Sequence, residues 1–179
     1  MEGGEKKGHI IRERYEATAE GYDSLYRAEQ FEKYFVALRK FPPRGKVLDA
    51  GCGTGLLIEF LGVQGLTSNL DLYVCLDYSW EMVWRASSRR RVFLNGRGLQ
   101  VMGNVLHLPF QDKTFDIVYS FTVLDLVDDM ERALTELLRV SRGPVIVSLL
   151  KTLPYKDVLI RQGARIVGST SKDVIFRVD

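Results

Sequence analysis

The residues best suited to chemistry form a glycine-rich run, Asp49-Ala50-Gly51-Cys52-Gly53-Thr54-Gly55, that directly follows a short apolar stretch. Glycines let a backbone turn sharply and approach a ligand without a Cβ in the way. A helix that begins after this run points free N–H groups and the positive end of its dipole at an anionic group. The same pattern is also typical of a tight strand-to-helix turn that binds nothing, so the run alone leaves both interpretations open.

A second acidic residue, Asp77, ends another apolar stretch 26 residues after Gly51. A carboxylate at the end of such a strand accepts hydrogen bonds from both hydroxyls of a ribose. The alternative is a helix cap, a role that Ser79 already fills. The dinucleotide fingerprint needs its third glycine at position 56. That position is Leu56, so the spacing favours an adenosyl cofactor over a nicotinamide dinucleotide.

The elements that must position these residues alternate between strands and helices. We predict strands at 47–49, 72–77, 99–102, 115–120 and 145–149, and a closing hairpin at 164–168 and 174–178. We predict a first helix at 10–20, ending near Gly21, and a second helix around an apolar stripe of Phe31, Tyr34, Phe35 and Leu38. Further helices are predicted at 54–63, 79–89, 130–138 and 153–162, with Asp128 as the cap of the helix at 130–138. This alternation indicates an α/β sheet, largely parallel, whose ligands bind at the carboxyl ends of the strands.

Length and composition exclude several classes of protein. The chain has 179 residues, of which 46% are hydrophobic and 27% charged, which indicates one globular domain. Apolar runs are too short for a membrane span, and the N-terminus is too charged for a signal peptide. Two cysteines 23 residues apart predict neither a disulfide framework nor a cysteine zinc site, and favour a reducing, cytoplasmic compartment. His9 and His107 lack metal-ligand spacing, so we expect no metal.

A net charge of +2 is too small for nucleic-acid binding on charge alone. The densest basic cluster consists of Arg85, Arg89, Arg90, Arg91 and Arg97. The pattern predicts a solvated helix end, opposite the chemistry, with an RNA-anchoring patch as the alternative.

Four segments in order, 47–55, 77–82, 103–110 and 114–118, resemble the motifs of class I S-adenosylmethionine-dependent methyltransferases, of the small type related to the ubiquinone and menaquinone methyltransferases. The resemblance implies a Rossmann-like, seven-stranded, mostly parallel sheet with one antiparallel strand and helices on both faces. It also implies a division into an N-terminal tail with lid helices, residues 1–45, and an S-adenosylmethionine-binding domain, residues 46–179.

The resemblance further implies roles for single residues. The glycines line the methionine part of the donor, Asp49 indirectly holds its ammonium, and Asp77 holds the ribose. Asn104 stands where the family usually has Asp, and its carbonyl oxygen can still accept the adenine amino group. The implied cofactor-binding set is Asp49, Gly51, Cys52, Gly53, Gly55, Asp77, Tyr78, Met82, Asn104 and Val105, with Tyr78 and Met82 flanking adenine.

Two residues are candidates for catalysis. Relatives often read Leu-His-His-Val-Pro-Asp after the fourth strand, whereas residues 124–129 read Leu-Asp-Leu-Val-Asp-Asp, so Asp125 replaces a histidine. It either accepts a proton, pairs with a cationic substrate, or is a solvated loop carboxylate. Tyr22 falls in the family's Tyr-Asp segment, where a ring stabilises the sulfonium. The helices around residues 10–30 are therefore either a lid or a scaffold.

Few residues separate the fifth strand from its helix, so the acceptor site should be open. We therefore expect a methyltransferase that acts on RNA or protein, with a small activator subunit as a candidate partner. A small-molecule methyltransferase and an inactive donor-binding scaffold remain as alternatives, and a membrane partner is not expected.

Overall fold

The computed structural model describes residues 21, 23–152 and 156–179. Its elements are α1 (23–38), β1 (Gly45–Ala50), α2 (Leu56–Val63), β2 (Leu70–Asp77), α3 (Trp80–Phe93), β3 (Gly98–Met102), β4 (Ile117–Phe121), α4 (Met130–Val140), β5 (Val145–Leu150), α5 (Lys156–Arg161), β6 (Arg165–Ser169) and β7 (Asp173–Val178). The predicted helix at 10–20 and the start of the one at 153–162 lie outside the described residues.

The strands form one seven-stranded sheet in the order β3-β2-β1-β4-β5-β7-β6. Strands β1 to β5 run parallel, and β7 is antiparallel to both of its neighbours. The predicted fold class is thereby confirmed. The order reverses between β1 and β4, which is where an open α/β sheet leaves a crevice for a ligand.

Alternating side chains on the strands build a core on each face of the sheet. Leu48, Val74 and Val118 pack with α4 on one face. Their neighbours Val47, Tyr73 and Ile117 pack with α1, α2 and α3 on the other. Because β1 is covered on both faces, the carboxyl end of this strand is held rigidly, and the glycine-rich run begins there.

Helix α1 packs on the second face, through Tyr34 and Leu38. Gly21 is helical, whereas the helix that was expected to stop near it lies outside the described residues, so this stop remains a prediction. Phe35 was expected in the buried stripe but is 53% exposed, with the Arg39 guanidinium 5.5 Å from its ring centre. Helical spacing allowed either Tyr34 or Phe35 to face the sheet, and Tyr34 fits between the rings of Phe60 and Phe121.

The same helix is tied to the turn before β7. Ser171 N donates to Glu32 Oε1 at 3.0 Å, and Lys172 Nζ donates to Glu29 Oε2 at 2.8 Å. The two partners of the first contact are 139 positions apart in the chain, and those of the second are 143 positions apart.

Helix caps are set by single side chains. Ser79 caps α3 as predicted, since its hydroxyl accepts from Met82 N at 3.4 Å. The cap of α4 is Asp129, which accepts from Arg132 N at 2.9 Å, so the prediction of Asp128 is off by one residue. Aspartate is a favoured residue at a helix N-cap, so residue type does not distinguish the two positions. The helix begins one residue later than the pattern indicates.

Cys52 and Cys75 form a disulfide, with their Cα atoms 5.4 Å apart, so the expectation of unpaired cysteines is wrong. The glycine-rich run folds back over β2, and both Gly51 N and Cys52 N donate to Leu76 O, at 2.7 and 3.0 Å. Sequence spacing does not reveal this proximity, because it comes from the pairing of β1 with β2.

Candidate functional site

The glycine-rich run leaves β1 as a loop whose three glycines have positive φ. Gly51, Gly53 and Gly55 have φ values of 84°, 53° and 83°, which other residues rarely adopt. A Cβ at Gly51 would lie 2.1 Å from Cγ2 of Val123, so the loop after β4 packs directly on this glycine. A Cβ at Gly53 would meet nothing within 4 Å. The loop therefore presents bare backbone to open space.

A cavity lies above this loop. It is lined by Gln30, Tyr34, Asp49, Gly51, Cys52, Gly53, Thr54, Leu56 and Phe121. Four of the predicted cofactor-binding residues (Asp49, Gly51, Cys52 and Gly53) thus share one wall of one cavity. Helix α1 supplies the facing wall through Gln30 and Tyr34, which the sequence did not single out as site residues.

Asp49 is the acidic group of this cavity. It is 3% exposed, and the Tyr73 hydroxyl donates to its Oδ2 at 2.6 Å. Burial raises the pKa of Asp49 to about 7, the nearby charge of Asp77 adds to the rise, and the Tyr73 hydrogen bond opposes it. A carboxylate with a pKa near neutrality responds strongly to a cation placed beside it.

Asp77 joins the loop to the start of α3. Its Oδ2 accepts from Gly53 N and its Oδ1 from Ser79 N, both at 2.9 Å. Burial raises the pKa of this carboxyl, while backbone hydrogen bonds from Ser79, Gly53 and Tyr78 work against the rise. Each oxygen keeps a second lone pair that can accept a hydroxyl. Asp77 is therefore placed to hold a diol next to the glycine loop.

The residues expected around adenine lie outside the set that lines this cavity. Tyr78 is 51% exposed, whereas Met82 and Val105 are buried. Asn104 Oδ1 accepts from Leu106 N at 2.9 Å, so the oxygen offered to adenine already closes a turn of the chain. Gly55 caps α2. Their contacts with a cofactor remain predictions.

Asp125 lies in the loop after β4 and contacts the end of β5. It is half-buried, and its Oδ2 accepts from Leu150 N at 3.0 Å. Among the described residues, its buried Oδ1 has no hydrogen-bond partner. Burial raises the pKa of Asp125, and the charge of Asp173 adds to this rise while Lys33 lowers it. Its catalytic role stays a prediction, as does that of Tyr22, which lies outside the described residues.

Sequence reasoning missed Lys33, whose side chain is fully buried. Its Nζ donates to Thr122 Oγ1 at 2.6 Å and lies 3.2 Å from carboxylate oxygens of both Asp173 and Glu29. Thr122 follows β4 with φ 57°, a left-handed conformation that is uncommon for threonine. The only signal in the sequence was the Glu29–Lys33 spacing of one helical turn. Asp173 reaches this end of the sheet because β7 is antiparallel and pairs it with Leu150.

Arg89 also lies elsewhere than predicted. Its Nη1 donates to Thr54 O and its Nε to Glu59, both at 2.8 Å, and Nη2 pairs with Asp23. Thr54 Oγ1 in turn donates to Asp23 at 2.6 Å. The prediction of a solvated helix end opposite the chemistry is therefore wrong for Arg89. A helical side chain leans toward the helix N-terminus, which brings this guanidinium back to the glycine loop.

Much of the remaining arginine cluster is also engaged. Arg85 pairs with Glu81, Arg90 donates to Gly98 O, and Arg97 donates to Leu70 O. These contacts leave less of the cluster for a polyanion than the sequence suggested.

Residues 21, 23–152 and 156–179 contain no group of three or more His, Cys, Asp or Glu that could hold a metal ion. His107 Nδ1 lies 2.9 Å from Arg132 Nη2. In the same part of the chain, no helix is long and apolar enough to cross a membrane.

Comparison with known proteins shows which family the chain belongs to. A family model described as a methyltransferase domain matches residues 48–147. The chain is 33% identical, over 153 residues, to the demethylmenaquinone methyltransferase of Thermobifida fusca. The alignment covers 80% of this chain and 62% of that relative, so the chain spans about three-fifths of its length.

Solved structures agree on the fold. A complex of the Trm112 methyltransferase activator of Haloferax volcanii with a methyltransferase matches with a TM-score of 0.65 and 25% identity, covering 75% of this chain and 59% of that one. The magnesium protoporphyrin IX methyltransferase of Synechocystis, solved with bound S-adenosylmethionine, matches with a TM-score of 0.72 and 17% identity, covering 96% and 95%.

Proposed function

Because the chain belongs to the class I S-adenosylmethionine-dependent methyltransferases, we propose that its cavity binds this donor and that the protein transfers the methyl group to a macromolecule, with a small activator subunit. The observation that carries the proposal is the hydrogen bond from Gly53 N to Asp77 Oδ2 at 2.9 Å. It holds the glycine loop beside the carboxylate that suits a ribose.

The described residues fit the donor. The open space over Gly53 admits a ligand against bare backbone. The buried carboxylate of Asp49 favours an ammonium group, and the rings of Tyr34 and Phe121 line the same cavity. When bound, the donor supplies an electrophilic methyl group. The residues of this chain then bind and orient it, and α1 excludes water.

Few catalytic groups are needed for such a transfer, since alignment supplies much of the rate. Asp125 is the proposed proton acceptor, through its free Oδ1, because the Leu150 hydrogen bond fixes the carboxyl from the other side. Its raised pKa suits a general base, since burial makes the carboxylate more basic than usual.

A macromolecular acceptor is supported by the closeness in sequence of β5, which ends at Leu150, and α5, which is helical by residue 156, so at most five residues separate them. This segment offers little chain to enclose a small acceptor. The second candidate is a small-molecule acceptor, which the 33% identity to a demethylmenaquinone methyltransferase favours.

The activator is supported by the edge of the sheet at β3. Among the strands that the structure describes, β3 pairs only with β2, and no described strand covers its outer edge. Five large apolar side chains of β3 and α3 are more than half exposed: Trp80, Trp84, Leu99, Met102 and, near the other end of α3, Val92. Clustered exposed aromatic residues mark protein interfaces, and a free strand edge can pair with a partner strand. A structural neighbour of this chain was solved in complex with an activator.

Donor binding is tested by calorimetry with S-adenosylhomocysteine. Asp77→Ala should lose about 2–4 kcal/mol of binding free energy, because two hydrogen bonds to a charged group disappear. Asp71→Ala is the matched control, since Asp71 is an exposed acid of the same strand. Unchanged affinity in a folded Asp77→Ala variant would exclude this site.

The acceptor is tested by transfer of radiolabelled methyl from S-adenosylmethionine into cell extract separated into RNA, protein and small molecules. Label in RNA or protein supports the main proposal, and label in small molecules supports the second candidate. Donor binding without any labelling, with the activator present, would instead indicate an inactive scaffold.

The activator proposal is tested by co-elution with a purified Trm112 protein on size exclusion. Trp84→Ser should abolish the complex, whereas Val92→Ser, which changes an exposed apolar residue near the other end of α3, should not. Equal loss of complex formation in the Trp84→Ser and Val92→Ser variants, or no complex with the wild-type protein, would contradict the proposal.

A further inference from the structure

The disulfide lies in the donor site itself. Cys52 belongs to the glycine loop and lines the cavity, and Cys75 belongs to β2, two residues before Asp77. The bridge thus connects the loop that would face the methionine part of the donor to the strand that would hold its ribose.

The two cysteines differ in exposure. Cys75 is 0% exposed, between Asp49 on β1 and Gln100 on β3 in the sheet register. Cys52 is 7% exposed and reaches solvent beside the cavity that it lines. Because Cys52 is the more exposed residue of the two, we expect a reductant to attack its sulfur, from the side where the donor would bind.

The bridge also restrains a loop whose backbone conformation is unfavourable for most residues. Gly51 and Gly53 need positive φ, and the loop is docked on β2 through the bonds from Gly51 N and Cys52 N to Leu76 O and from Gly53 N to Asp77 Oδ2. A covalent link at Cys52 restricts the alternative conformations open to this loop. A binding loop that is held in its bound conformation costs less to order when a ligand arrives.

We propose that the Cys52–Cys75 bridge is a redox-sensitive lock on the donor site: the oxidised protein binds the donor more tightly, and a bound donor shields the bridge from reduction. The two effects are reciprocal, because a state that favours the donor is favoured by it. This inference rests on the proposed function, since it takes the cavity to be the donor site.

The chemistry needs an external dithiol as reductant. One of its thiolates attacks Cys52 Sγ, the Cys52–Cys75 bond breaks, and Cys75 leaves as a thiolate that takes a proton. The second thiol of the reductant then displaces Cys52 from the mixed disulfide. The protein gains two electrons and two protons, and the reductant leaves as a cyclic disulfide.

The experiment measures S-adenosylhomocysteine affinity by calorimetry on the oxidised protein and on protein fully reduced with dithiothreitol, with the thiol count verified by alkylation and intact mass. We expect reduction to weaken binding about five- to tenfold, at the low end of typical coupling between sites. In the second measurement, saturating S-adenosylhomocysteine should shift the equilibrium with dithiothreitol toward the disulfide by a similar factor, because the two couplings are equal at equilibrium.

The matched control is the double variant Cys52→Ser, Cys75→Ser, whose affinity should not respond to dithiothreitol. Equal affinity of the oxidised and reduced wild type would overturn the lock, as would a response in the double variant or reduction that ignores the ligand. Thiols that stay free under mild oxidation would overturn it too. Absence of binding in both redox states would instead overturn the donor site, which separates the two failures.

Discussion

The buried carboxyl of Asp49 should make donor binding depend on pH around neutrality. Asp49 has a pKa of about 7 in the protein without ligand, because it is buried in the cavity wall next to Asp77. The donor carries an ammonium group, which the family places near this residue. A cation favours the ionised form of the carboxyl, so binding should release a proton whenever Asp49 starts out protonated.

The size of the effect follows from the pKa. With a pKa of about 7, about one-tenth of the protein is ionised at Asp49 at pH 6 and about nine-tenths at pH 8. If the ionised form binds the ligand, affinity should rise about tenfold over this range, or about 1.4 kcal/mol. Below pH 6 the slope should approach a factor of ten per pH unit.

The assay is calorimetric titration with S-adenosylhomocysteine between pH 5.5 and 8.5, in buffers that differ in ionisation enthalpy, so that proton release is measured directly. Methylthioadenosine is the control ligand, because it lacks the amino-acid part, and its affinity should stay level. Tyr73→Phe assigns the titration, since loss of the hydrogen bond that lowers the pKa of Asp49 should move the midpoint to higher pH.

A flat profile for S-adenosylhomocysteine, or an affinity that falls from pH 6 to pH 8, would refute the role of Asp49. An equal slope with methylthioadenosine would assign the titration to the ribose side, where the pKa of Asp77 is also raised. A Tyr73→Phe variant that folds but keeps the wild-type midpoint would show that the titrating group is not Asp49.

Three further outcomes are expected. Asp125→Asn should lower turnover at least tenfold while S-adenosylhomocysteine affinity stays unchanged, measured by methyl transfer and calorimetry; loss of affinity would indicate a structural role instead. Lys33→Met should destabilise the protein by about 3–5 kcal/mol in urea unfolding, because Asp173 is left buried without its cation, and an unchanged midpoint would contradict the buried ion pair. Hydrogen exchange of residues 23–38 should slow when S-adenosylhomocysteine binds, and slowing confined to the glycine loop would leave α1 as a scaffold rather than a lid.

The sequence predicted the sheet well because its strands are marked by local patterns. The apolar stretches before Asp49 and Asp77 are buried strands, and the alternating helices made the parallel topology the natural solution. The cap of α3 at Ser79 was predicted for the same reason, because it depends on neighbours in the chain. The glycine loop and Asp77 come together as the spacing indicated.

Features that depend on contacts between distant segments could not be predicted in this way. The disulfide follows from the pairing of β1 with β2, and Arg89 reaches Thr54 because α3 packs beside α2. From the sequence alone, Lys33 looks like a surface residue of an amphipathic helix. Only the fold shows that its ammonium group pairs with Asp173 and donates to Thr122. None of these pairs is adjacent in the sequence, and each requires the assembled fold.

The ties between α1 and the turn before β7 have a consequence for how the protein is made. Helix α1 leaves the ribosome well before residues 171–173, which bind its Glu29, Glu32 and Lys33. A nascent chain that already holds the glycine loop, β1 and β2 still lacks the partners that fix the facing wall of the cavity. The cavity should therefore close only after translation has passed residue 173, and a chain that stalls earlier would carry the glycine loop without its cover.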